Sequence, residues 1–219
     1  KNELGFNTKP MILDTINNET EFALNYFGVE VPDFLNDVKL QVKDLDYYND
    51  CYMYENSTIK EAYDYMKSHN ITGVPLVDRT RKLKGLITVK MLGNELVNGD
   101  FTHLITSYDN IVKTLDGKSV LKFDEEIDGN IIAAAFKSTT ILSEIPVDRS
   151  NILIVGDRHS IIEYAVKSGV QLIVLVGNHQ IKEEHLKIAK NNRVNIIQTP
   201  FDTFHTAKII GLSGYVKKL

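Results

Sequence analysis

Four apolar runs in the second half of the chain carry no polar alternation: NIIAAAF (130–136), NILIVGD (151–157), VQLIVLVGN (170–178) and VNIIQTP (194–200). Helical patterns, notably RHSIIEYAVKSG and KEEHLKIAKNN, lie beside them. Strands buried on both faces read this way, so from about Ser107 onward the pattern predicts a parallel sheet covered by helices, an α/β domain.

The first half is patterned differently. NETEFALNYFG (18–28) predicts a short helix. Asn18 and Glu21 stand at capping-box spacing, Ala23, Leu24 and Phe27 form its apolar stripe, and Gly28 is placed for a left-handed stop. VEVPDFL then reads as extended, because Pro32 disfavours continued helix. STIKEAYDYMKS (57–68) predicts a second helix capped by Ser57 or Thr58, with Ile59, Ala62, Tyr63 and Met66 on one face. A strand at Gly73–Val77, a charged turn at Asp78–Lys84, a strand at Gly85–Val89 and a helix from about Lys90 complete a compact unit. Its helical face around Ala62 and Met66 is expected to pack on a second copy, giving a homodimer.

Composition narrows the function classes. A chain of 219 residues, 43% apolar and 25% charged, is long enough for one large or two small globular domains. A net charge of −4 gives no electrostatic case for nucleic acid. No apolar run reaches the roughly 20 residues that cross a bilayer, and no signal-peptide pattern opens the chain. The single cysteine, Cys51, excludes an internal disulfide framework and suits a reducing cytosol. Because the chain starts at Lys1 and ends GYVKKL, both ends are expected to be cuts in a longer protein.

The order helix, strand, charged turn, strand, helix, written in HNITGVPLVD and KLKGLITVKML, resembles the cystathionine β-synthase (CBS) domain. The matching residues are Gly73, Val74, Pro75, Val77 and Asp78, then Gly85, Leu86, Ile87 and Thr88. Extended backbone at Gly73–Pro75 can meet an adenine edge, and Thr88 at a helix entry can hold ribose or phosphate. The resemblance implies adenine-nucleotide binding at Thr58, Thr72, Gly73, Val74, Pro75 and Thr88. Where that family places a ribose-binding acid, this chain has Met91. The stretch ILIVGDRHSIIEYAVKSGVQLIVLVGNH is similar to the DRTGG domain, with Asp157, Arg158 and Gly177 in register and Val176 and Asn178 replacing the neighbours of that glycine. TPFDTFHTAKII (199–210) resembles the end of the same domain. Arg158 is expected to be structural or a subunit contact rather than catalytic.

A CBS domain followed directly by a DRTGG domain resembles the regulatory insert of family II inorganic pyrophosphatases, and residues 16–45 resemble the end of their first catalytic segment. The expected organisation is therefore a catalytic-domain tail at 1–45, a small α+β CBS unit at 46–106, a DRTGG domain at 107–213 and the start of a second CBS domain at 214–219. The resemblance implies AMP or ADP as inhibitor, ATP or diadenosine polyphosphates as activator, and manganese or cobalt in the catalytic part of the parent enzyme. No catalytic residue and no metal ligand is expected here. His69, His103, His159, His179, His185 and His205 lack HxxxH or HExxH spacing, and the Asn-Pro-Asp and Asp-His-His motifs are absent. The competing reading is a CBS–DRTGG dimerisation module with no ligand.

Overall fold

The computed structural model describes residues 5, 8–35, 41–99, 101–135, 141, 143 and 146–218; Phe136, at the end of the first apolar run, lies outside them. The chain divides into two compact units, 1–49 and 50–219.

The first unit pairs two short parallel strands, β1 (Met11–Ile12) and β2 (Asp33–Phe34), on either side of helix α1 (Asn18–Tyr26). The helix cap is Asn17, not Asn18, and its side chain accepts from Thr20 N. Gly28 does take the left-handed conformation, φ 63°. The predicted stripe is not a core, since α1 buries no residue and Phe27 is 75% exposed.

In the second unit, β3 (Met53–Tyr54), β4 (Gly73–Val77) and β5 (Leu83–Thr88) form a sheet of order β3-β4-β5, parallel at β3–β4 and antiparallel at β4–β5. Helices α2 (Ile59–Ser68) and α3 (Val89–Asn98) cover one face. The core they enclose contains Met53, Ile59, Ala62, Met66, Val74, Leu76, Ile87, Leu92 and Val216. Ala62 and Met66 are thus buried inside this unit and offer no face to a second copy; Tyr63, a quarter-turn away, is the exposed one at 49%.

The larger sheet has the order β6-β8-β9-β10-β11-β7. Its centre, β8 (Glu126–Ala133), β9 (Asn151–Val155), β10 (Leu172–Leu175) and β11 (Asn195–Gln198), is parallel throughout. The edges β6 (His103–Ser107) and β7 (Lys118–Leu121) are antiparallel to their neighbours. Strand β6 begins inside the segment that the sequence assigned to the CBS unit, and its pairing with β8 carries it into the large sheet.

Both sheet faces are covered. Leu153, Val155, Ile173, Leu175 and Ile196 pack against α5 (His159–Ser168) and α6 (Glu183–Asn191). Ile152, Ile154, Leu172, Val174 and Ile197 pack on the other side against Tyr108 and Ile111 of α4 (Tyr108–Thr114), with Leu115 and Ile210. After α7 (Thr203–Ile209) the chain leaves this core at Ile210 and enters the smaller one at Val216. A three-layer α/β domain and a small α+β unit are thus joined through residues 210–216, and the expected fold class holds. Among the described residues no helix is long and apolar enough to cross a membrane.

Candidate functional site

The β4–β5 hairpin is organised by Asp78. Its Oδ1 accepts from Thr80 N (2.8 Å), Thr80 Oγ1 (2.6 Å) and Lys82 N (3.0 Å), and Lys84 Nζ lies 3.3 Å from Oδ2. Hydrogen bonding by Thr80 and Lys82 holds the carboxyl down to about 2, so the turn keeps its anion at any physiological pH. Arg81 takes the left-handed position of the turn at φ 62°. The register then pairs Gly73 with Thr88, Val74 with Ile87 and Pro75 with Leu86, and Val89 N donates to Thr72 O at 2.9 Å. Five of the six expected contact residues (Thr72, Gly73, Val74, Pro75 and Thr88) therefore meet at one end of the hairpin.

Their side chains differ in what they can offer. Val74 is fully buried, so only its backbone is available. The β3 ladder covers only Leu76 and Val77 of β4, which leaves the edge at Gly73–Pro75 beyond the end of β3. A Cβ on Gly73 would lie 3.4 Å from Thr88 Cγ2, an ordinary contact, so the pairing itself does not demand glycine there. Thr88 caps α3, its Oγ1 accepting from Met91 N at 3.2 Å. A capping hydroxyl accepts through oxygen and still has its own proton to donate.

Beside this helix entry lies a cavity of about 360 Å³, lined among others by Glu55, Lys84, Leu86, Met91, Val216 and Lys217. The size falls within the range of small-molecule sites. It has an apolar floor, two lysines and one carboxylate. Met91 is in it, but the five clustered residues are its neighbours rather than its lining.

Thr58 stands apart. It is 2% exposed and forms a full capping box with Glu61 at the start of α2, whereas Thr72 follows the end of that helix. Ten residues of α2, about 15 Å, separate them. Thr58 instead borders a second cleft of about 240 Å³ with Glu61, Asp64, Lys113 and Asp116. It is a structural cap at the junction of the two folds.

That junction was not visible in the sequence. Ile59 N donates to Gly214 O and Val216 N to Ser57 O, both at 3.0 Å, and Thr58 bridges to Tyr215. Tyr215 OH donates to the Glu126 carboxylate, at 2.9 and 3.0 Å from its oxygens. Thr106 Oγ1 donates to Ser213 O, and Lys113 pairs with Glu61. Nothing in the stretch SGYVKK announces a strap of this kind.

In the large sheet Arg158 Nη1 donates to Ala134 O at 2.7 Å, which ties the end of β8 to the start of α5 and fits the structural role expected for it. The histidines do not converge on a centre: among the described residues no group of three metal-ligating side chains is positioned to hold a metal ion.

The DRTGG-domain family model matches residues 110–213, and the CBS-domain model matches 43–97. The chain contains a CBS domain followed by a DRTGG domain. A cobalt-dependent inorganic pyrophosphatase of Clostridium perfringens is 28% identical over 207 residues, which cover 92% of this chain and 37% of that protein. A probable manganese-dependent inorganic pyrophosphatase of Thermotoga maritima is 26% identical over 204 residues, 90% of this chain and 37% of that one. The CBS–DRTGG chain thus spans little more than a third of the length of these relatives. A crystal structure of the CBS and DRTGG domains of the regulatory region of Clostridium perfringens pyrophosphatase, complexed with its activator diadenosine tetraphosphate, superimposes with a TM-score of 0.72 at 24% identity. That match covers 82% of this chain and 80% of the other, and it shows the same fold. The CBS–DRTGG chain is homologous to a stretch of the manganese- and cobalt-dependent inorganic pyrophosphatases and shares the fold of the Clostridium perfringens regulatory region.

Proposed function

We propose that this CBS–DRTGG chain senses adenine nucleotides and sets the activity of an inorganic pyrophosphatase of the cytosol, whose manganese or cobalt is held by catalytic domains elsewhere in the protein. AMP or ADP inhibits and ATP or diadenosine polyphosphates activate; the diadenosine tetraphosphate activator held by the Clostridium perfringens regulatory region supports the activating half of that reading. The observation that carries the reading is the cavity at the entry of α3, beside Thr88 and flanked by Lys84 and Lys217. A nucleotide there places its base against the β4 edge at Gly73–Pro75 and its ribose or phosphate near Thr88. Thr58 drops out of the contact set because its hydroxyl is a buried cap. Regulation follows from differential affinity, since a ligand can shift an equilibrium only by as much as it prefers one arrangement over the other.

The functional unit in this reading is a homodimer, joined through the helical face rather than through Ala62 and Met66. Tyr63 and Leu96, with Ile59, Leu92 and Leu212, line an apolar groove of about 390 Å³ between α2 and α3, and Leu96 is 56% exposed. The same groove favours the alternative of a dimerisation module without a ligand. Calorimetry with AMP separates the two. Thr88→Val should weaken binding roughly ten- to a hundredfold, the equivalent of about 1.5–3 kcal/mol for a lost bond to a charged phosphate. Thr88→Ser should restore it, and Met91→Asp should tighten it by supplying a carboxylate. AMP binding that ignores both Thr88→Val and Met91→Asp rules out this surface.

A further inference from the structure

One wall of the cavity lies outside the β4–β5 hairpin and consists of Val216 and Lys217. Of the two lysines there, Lys84 is paired with Asp78. The ammonium of Lys217 instead lies 4.9 Å from the centroid of the Tyr215 ring. A cation resting on an aromatic face is held by the ring quadrupole and keeps its full charge for an incoming anion. The ring is itself fixed. Tyr215 is 7% exposed, bridges to Thr58, and donates through its hydroxyl to Glu126, the first residue of β8. Burial and the Glu126 carboxylate push the phenol up to about 12, so the donor proton stays in place throughout the physiological range. Ser213, two residues earlier, is held by Thr106 of β6. Both strands that grip the strap belong to the large sheet of the DRTGG domain.

From this geometry we infer that Tyr215 is a positioning residue for Lys217, anchored by Glu126, and that the DRTGG domain thereby presents a cation to the phosphate of a nucleotide in the CBS cavity. The inference rests on the nucleotide reading above and adds the direction of communication. A phosphate that draws on Lys217 pulls on a ring whose other end is bonded to β8, so occupancy of the cavity and the state of the large sheet are linked through one side chain. By linkage the effect is reciprocal.

The test compares AMP with adenosine, which lacks the phosphate, by calorimetry on the full chain. Lys217→Ala should weaken AMP at least tenfold and leave adenosine within twofold. Tyr215→Phe keeps the ring and loses the anchor, and Glu126→Gln keeps the shape and loses the charge. Each should weaken AMP three- to fivefold without touching adenosine, and Tyr215→Leu should approach Lys217→Ala. If Tyr215→Phe impairs folding, Glu126→Gln on an exposed position carries the test alone. A purely structural role for Tyr215 would lower the melting temperature while the ratio of AMP to adenosine affinity stayed constant, and that result overturns the proposal. A wild-type chain that binds no AMP overturns the nucleotide reading and this inference with it. One that binds AMP with an unchanged ratio in every variant overturns this inference alone.

Discussion

Asn195 offers a sharp test of how the large sheet is held together. It is fully buried at the start of β11, and its amide uses all four hydrogen-bonding positions. Oδ1 accepts from Phe123 N (2.7 Å) and Asp124 N (3.0 Å); Nδ2 donates to Asp124 Oδ2 (2.7 Å) and Gln171 O (2.8 Å). Asn195→Ala leaves the two acceptors with other donors, because Arg149 still bonds Asp124 and the Asn195 backbone still bonds Gln171 O. The N–H groups of Phe123 and Asp124 lose their acceptor. Both residues are half-buried, so at about 1.5 kcal/mol per stranded donor the loss should be about 3 kcal/mol. With a urea dependence of about 2 kcal/mol/M, the midpoint should fall by about 1.5 M. Far-UV circular dichroism against urea measures this. Asn195→Asp is the control: it keeps the acceptors but sets a buried second carboxylate against Asp124, so it should be worse than alanine at pH 7 and recover on acidification, beginning above the ordinary carboxylate range because burial and the like charge both raise its pKa. A loss under 1 kcal/mol for alanine, or an aspartate variant indifferent to pH, refutes the accounting.

Two further expectations concern the junction and the sheet. Burial pushes the Glu61 carboxyl up, but the Lys113 ammonium and the Thr58 N–H outweigh it, and the net pKa is lowered from 4.5. A depressed carboxylate adds stability above its unfolded value and loses it as pH drops through the folded one; wild type should therefore weaken below about pH 4.5 more steeply than Glu61→Gln, and parallel acid titrations would contradict the pairing. Gly129→Ala would place a Cβ 2.9 Å from the backbone oxygen of Ser150, which also accepts from Asn130 N at 2.8 Å. The strand must shift, at about 1–3 kcal/mol by thermal unfolding, and an unchanged melting temperature would show that the backbone yields freely.

The elements with the strongest local patterns were legible. Apolar runs without alternation marked β9, β10 and β11, and the Gly-Val-Pro-Leu-Val strand with its charged turn marked the CBS hairpin to within two residues. The antiparallel edges were not. His103–Ser107 and Lys118–Leu121 mix polar and apolar residues, and only partners more than twenty or seventy positions away, Asn130 and Gln198, decide that they are strands of this sheet. The helix pattern of α2 was read correctly, but periodicity cannot say which part of a stripe faces its own core. Ala62 and Met66 turned inward and Tyr63 was left outside. At the candidate site the same limit applied. Thr72, Gly73 and Thr88 come together because strand register is local, whereas Thr58 looked equivalent in sequence and lies a whole helix away. The strap at 213–217 depends on Glu126 and Thr106, about ninety and a hundred positions distant, and no spacing rule reaches that far.

The central claim is that adenine nucleotides bind at the α3 entry, and hydrogen exchange of the full chain with and without saturating AMP tests it most directly. The account predicts slowed exchange at Thr72–Val74, Ile87–Met91 and Val216–Lys217, with a smaller echo in β6 and β8. An exchange pattern unchanged by AMP, or protection confined to the far edge at β7, would contradict it.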